Sequence, residues 1–463
     1  MDLCRTEWGG GVWTRDGRII ITRSYAGGLD VVAADGGTPT QLTTPDLDSG
    51  ELGHWWPQIL PGEEWVIYTS WSTPIERARI MAFSLTSGEH RVLVEGAAFG
   101  RWSPTGHLLF VRGGQLLAAP FDRDAMAVDG PAEPVLDDVY RDANDGYANL
   151  DFSADGTLVY VQASVMNAPR ELVWVDREGT ISPLELPPRR YGPPRLSPDG
   201  SLLAETVLED QNLDIWLRDL DRGTRSRFTF EDASDFNPIF TPDGRTIIYN
   251  GEEPQFTVYR RPVDGSAEPT LLLREPIDTL PTDVSPDGRL LVVTYADTET
   301  DSDIWLVPLD GGDAPRPFLR TRFSEHMGVV SPDGRWLAYV SNESGRSEVY
   351  ALAFPDGGSR IQISNAGGEE PAWSPRGDEL FYRSRAGFMS VPIDPDRSTG
   401  TSLAAGRPAV MFRGRFESDW IRAGYTVSAD AGRFLVVHAP LETAPRAVRV
   451  VVNWFTELGS AGR

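Results

Sequence analysis

Apolar residues in this chain fall in short runs set between tight-turn signals, and helical spacing is almost nowhere visible. The segment from Val329 to Ser341, VVSPDGRWLAYVS, is the clearest unit. Ser331 offers a hydroxyl to the local backbone, Pro332 presets φ, Asp333 adds a short acceptor and Gly334 supplies positive φ, so the segment predicts strand, turn, strand. The run from Trp336 to Val340 is apolar throughout, as in a strand covered on both faces. EVYALAF, from Glu348 to Phe354, and RIQIS, from Arg360 to Ser364, follow as third and fourth strands. The same order recurs from Asp199 to Thr229 and from Asp287 to Leu319.

Turn glycines of this kind stand at Gly17, Gly62, Gly106, Gly156, Gly200, Gly244, Gly288, Gly334, Gly377 and Gly432. Gly200, Gly244 and Gly288 follow one another at intervals of 44 residues, and the other gaps are similar. A period of that length filled with strands predicts propeller blades, hence an all-β β-propeller of about ten four-stranded blades.

A second repetition divides the ten. Leu116 to Val139 and Phe388 to Phe412 share a strand, a Pro-apolar-Asp step, a polar insertion and a closing apolar strand. Each is followed by a Ser-Ala-Asp turn, at Ser153 and Ser428, and then by a hydrophobic strand, ELVWVD (171–176) or VRVVVNWF (448–455). Blades three and four therefore match blades nine and ten, an offset of six. The expected architecture is a partial ring of four blades over residues 1–179 and a six-bladed ring over 180–463, parting near Gly179. Ile181 to Leu186 would then pair with the last blade and remove two exposed edges. The alternative is a single ten-bladed ring.

The turn aspartates, Asp16, Asp155, Asp199, Asp243, Asp287 and Asp333, resemble cation ligands only in residue type. They lie on separate blades, and degenerate copies place Thr105 or Arg376 in the same slot, which a turn tolerates and a metal site does not. The expectation is a hairpin-fastening role. No cofactor and no metal are expected: the five histidines are scattered and Cys4 is the single cysteine, so no internal disulfide or cysteine-based zinc site can form.

Charge narrows the function classes. Lys+Arg is 43 against 68 for Asp+Glu, a formal net charge of −25, which repels phosphate backbones and makes nucleic acid a poor partner. All the basic residues are arginine. Without lysine these residues hold no protein-kinase strand lysine, no P-loop and no Schiff-base nucleophile. No Gly-x-Ser-x-Gly elbow and no stretch of about 20 apolar residues occurs, so neither an α/β-hydrolase nor membrane insertion is expected. The N-terminal MDLCRTEWGGGVW carries no secretion pattern, which taken literally predicts a cytoplasmic chain.

The SPDGR turns, LVWVDREG (172–179), DIWLRDL (214–220), FSEHMGVVSPDGRWLAYVSNESGRSEVYALAFPDGG (323–358) and VVVNWFTEL (450–458) together resemble the TolB-like, WD-like propeller repeats that follow bacterial serine/threonine protein kinase domains. The resemblance implies a sensor or protein-binding module outside the membrane, with the kinase and membrane helix elsewhere, and carries over no catalytic residue. It also implies two further blades ahead of Asp2.

In a propeller the strand leading into each turn lines the central channel. In the six-bladed ring that predicts a channel-mouth group of Tyr191, Arg195, Asn237, Asp283, Glu325, His326, Glu370, Arg422 and Tyr425, with Phe236, Thr282 and Glu369 beside them. Such a polar and aromatic funnel suits a protein, peptide or small-ligand partner. The acidic segment DTETDSD (297–303) reads as a solvated hairpin loop, and Trp216 and Trp305 as core residues between blades. The expected function is non-enzymatic recognition. Two alternatives are the gating propeller of a prolyl-oligopeptidase-like peptidase, which needs a hydrolase domain, and a propeller polysaccharide lyase, which needs several histidines around a metal.

Overall fold

The protein is an all-β β-propeller protein, with ten antiparallel sheets among the described residues. The computed structural model describes residues 10–22, 27–72, 75–140, 146–162, 169–209, 212–251, 256–274, 279–297, 300–414, 416–418, 423–438 and 448–458. Its sheets follow the repeat. In blade eight Glu325–Val330, Trp336–Ser341, Glu348–Ala353 and Arg360–Gln362 pair in that order.

The turn chemistry is as the sequence predicts. In blade eight the Ser331 hydroxyl donates to Asp333 Oδ1 at 2.6 Å, Asp333 Oδ1 also accepts the Arg335 N–H, and the Trp336 N–H donates to Ser331 Oγ. The same contacts recur around Asp199, Asp243, Asp287 and Asp430. These bonds favour the ionised carboxylate, and each of these aspartates is held below its ordinary range; Asp333 is so held against the opposing pull of its own burial. Gly334 sits at φ 70°, where a side chain would be strained.

The chain divides into two compact units, the first of Met1–Ala168 with Thr443–Arg463 and the second of Pro169–Glu442. The Pro169–Glu442 unit holds six blades, and they close. Leading strands touch in succession from Arg195–Leu196 through Asp235–Phe240, Thr279–Val284, Glu325–Val330 and Glu369–Trp373, and Tyr425–Val427 packs back against Arg195–Leu196. Six apolar clusters fill the six gaps. The closing one joins Leu172, Leu435 and Val437 of blade ten to Tyr191, Leu203 and Val207 of blade five.

Blade ten is assembled from both ends of this unit. Its order is Ile181–Pro183, Glu171–Asp176, Arg433–His438, Tyr425–Val427, so Ile181–Pro183 does join the last blade, with Glu171–Asp176 as the intermediary. Gly179 lies in the turn between the two, inside the unit.

The first unit stacks four blades with three apolar clusters between them. Its fourth sheet is Leu150–Phe152, Leu158–Tyr160 and Arg449–Val451, the last strand coming from the far end of the chain. Trp454, 1% exposed, anchors that segment in the cluster shared with Phe99, Leu109 and Leu158. The two strands that match in sequence have thus each taken the other's neighbour: ELVWVD pairs with Arg433–His438, and the VRVVVNWF segment with Leu158–Tyr160.

Candidate functional site at the axial side of the six-blade unit

Neighbouring leading strands in this unit are splayed by the radial arrangement, so side chains make the bonds between them. Position four before the turn serine or threonine is the key to how they do so. There Asn237, Met327 and Glu370 have φ of 57°, 55° and 56°, and Trp56 and Phe99 in the first unit 59° and 57°. Each marks a β-bulge where the register of the leading strand shifts. A non-glycine residue in this region carries a strain of roughly 1 kcal/mol or more. Because the five residue types differ, no sequence pattern announces the position.

At the bulge Asn237 and Glu370 are buried in the contacts with the next blade. Asn237, 2% exposed, donates from Nδ2 to the Pro281 carbonyl of the next blade and to Asn250 Oδ1. Glu370, 1% exposed, accepts the Gly424 N–H at 2.9 Å and pairs with Arg383 at 3.4 Å. Tyr425 is fully buried and donates its hydroxyl to the Glu370 carbonyl. Burial raises the Tyr425 phenol well above its ordinary value. Tyr191 is also buried and donates to the Pro187 carbonyl. These four, expected at an open mouth, are inter-blade fasteners.

Glu325 is buried as well. Its Oε1 accepts the Thr321 hydroxyl at 2.6 Å, its Oε2 has no hydrogen-bond partner among the described residues, and burial together with the nearby Asp303 charge pushes its carboxyl up to about 7. Asp303, from the acidic segment expected to be solvated, is fully buried; it accepts the Thr300 hydroxyl and lies 3.5 Å from Arg320. Asp235 occupies the equivalent position in blade six: burial, then the adjacent Glu231, raises it to about 8.

Position two before the turn is on the whole less buried. In blades five to ten it is Arg195, Ile239, Asp283, Val329, Ala372 and Thr426, of which all but Ile239 are half-buried. Arg195 Nη1 donates to the Tyr425 carbonyl at 3.0 Å. Asp283 accepts the Val330 N–H at 2.7 Å and its own strand's Val284 N–H at 2.9 Å. Burial raises Asp283 to about 6, moderated by these donors and by the charge of Arg195. One guanidinium and one carboxylate, close enough to feel each other, therefore stand among apolar and small side chains. His326 is half-buried on its leading strand, as is Phe236, and Glu369 is exposed, whereas Thr282 is buried and donates to the Gly328 carbonyl. Arg422 lies outside the described residues.

Trp216 and Trp305 pack in inter-blade clusters, as expected, and the Arg225 guanidinium lies 3.7 Å above the Trp216 ring. Among the described residues no group of three or more His, Cys, Asp and Glu is arranged to hold a metal, and no helix is long and apolar enough to cross a membrane.

No family profile matches the chain. It is 28% identical over 207 residues to Atu1656 of Agrobacterium fabrum, a protein described as uncharacterized, covering 41% of this chain and 64% of that one. The chain thus spans less than two thirds of that relative. Among solved structures, a putative TolB from Agrobacterium tumefaciens is similar at 18% identity and TM-score 0.45, covering 58% of this chain and 98% of the other. TolB from Acinetobacter baumannii is similar at 14% identity and TM-score 0.38, covering 86% and 80%.

Proposed function

We propose that this protein is a non-enzymatic recognition module whose six-blade unit binds a peptide or small ligand at its axial side. The observation that carries the reading is that Arg195 and Asp283, both half-buried, stand at the same position of two leading strands of this unit, Arg195 bonded to the Tyr425 carbonyl and Asp283 to the Val330 N–H. Opposite charges held at fixed positions among apolar neighbours orient a ligand by its own charges, while the surrounding small side chains leave it room. Arg195 donates to the Tyr425 carbonyl and Asp283 accepts the Val330 N–H, so backbone groups set both side chains in place, as positioning groups require. The resemblance of the repeats to those that follow bacterial serine/threonine kinases supports a sensory role, with ligand capture relayed to a domain encoded beside the propeller.

Selection of a random-peptide display library on the full chain tests this. Selected peptides are expected to lose roughly tenfold or more in affinity on Arg195→Ala or Asp283→Asn, with little change in melting temperature. Peptides that bind parent and both variants equally would move recognition away from the axial side.

A further inference from the structure

The fourth sheet of the first unit is the exception among ten. Every other sheet has four or five strands among the described residues, and this one has three, ending in Arg449–Val451 as a free edge. The face of that edge is apolar and uncovered. Val448, Val450 and Val452 are 58%, 61% and 68% exposed, and Val450 stands opposite Val159, itself 36% exposed. The opposite face is committed, with Leu158, Tyr160 and Val451 packed in the cluster of Trp454. Elsewhere in the molecule a sheet of this kind gains its fourth strand beside the third, as Thr270–Leu273 does beside Thr257–Pro262.

We propose that the Arg449–Val451 edge accepts an extended strand of a partner protein, apolar at alternate positions and flanked by basic residues. Unpaired backbone groups on an edge supply the hydrogen bonds, and alternate side chains of the added strand extend the valine face. Charge selects this occupant. The chain as a whole carries a formal net charge of −25, which repels a second copy and attracts a cationic segment.

The test uses the full chain and a labelled peptide, acetyl-Arg-Val-Thr-Val-Thr-Val-Arg-amide, read by fluorescence anisotropy and by hydrogen exchange. Saturable binding is expected, with the amides of Arg449 to Val451 gaining protection, and Val450→Asp is expected to weaken it roughly tenfold. Since Val450 is exposed, that variant should melt with the parent. A peptide of the same composition with the alternation broken, acetyl-Arg-Val-Val-Val-Thr-Thr-Arg-amide, should bind at least tenfold more weakly. Equal binding of both peptides, or protection confined to other strands, overturns the proposal. So does a concentration-dependent dimer in sedimentation that Val450→Asp dissociates, which would give the edge to a second copy.

Discussion

The Tyr425 hydroxyl donates to the Glu370 carbonyl at 2.9 Å, and this bond, with the Gly424 N–H on the Glu370 carboxylate, fastens blade nine to blade ten. Both side chains are buried, so losing either partner leaves a polar group without water. Tyr425→Phe is expected to lower stability by about 1–2 kcal/mol, and Glu370→Ala by more, because it removes both the acceptor of the Gly424 N–H and the carboxylate paired with Arg383. Urea unfolding of the two variants checks the order.

Glu325 gives the six-blade unit a pH dependence of definite sign. Its folded value of about 7 stands above the ordinary 4.5, so the folded state holds the proton more tightly than the unfolded chain. Stability from this group is present below pH of about 4.5, declines as pH rises toward 7, and is lost above it, a change on the order of 3 kcal/mol. Glu325→Gln should flatten that decline and be more stable than the parent at pH 8. An unchanged slope between pH 5 and 7 in the variant would reject the assignment.

Trp454 holds the C-terminal strand in the first unit. Its removal by Trp454→Ala opens a cavity costing about 3–5 kcal/mol in that unit, while the six-blade unit keeps its own closure. Hydrogen exchange should show protection falling at Leu150–Phe152 and Leu158–Tyr160 and persisting at Trp336–Ser341. Uniform loss across both units would mean that they unfold as one.

The strand exchange makes a statement about fragments. Residues 169–442 contain all four strands of blade ten and should fold with a single cooperative melt. A fragment beginning at Thr180 lacks Glu171–Asp176, leaving Leu435 and Val437 uncovered, and should be less stable or aggregate. Equal melting of the two fragments would show that the missing strand is replaced from within.

Ten turns, their spacing and the strands beside them were legible in the residues because a Ser-Pro-Asp-Gly hairpin is closed by bonds among neighbours such as Ser331, Asp333 and Trp336. Alternation and turn chemistry are local, and so they survive in one dimension. The candidate site was legible only in part. Arg195 and Asp283 are half-buried, whereas Asn237 and Glu370, two residues further from their turns, are buried in the blade contacts at bulges that residue types as different as asparagine and glutamate share.

The choice of partners for the third strands belonged to the tertiary structure alone. Glu171–Asp176 and Val448–Asn453 read as equivalent segments, yet Leu172 sits in a position 2% exposed between blades, where Arg449 of the other segment would be a buried charge. At its actual place Arg449 reaches Gln162 at the surface. A strand's own pattern fixes that it is a strand and which face is apolar; which edge it joins is decided by the burial that the whole fold offers it.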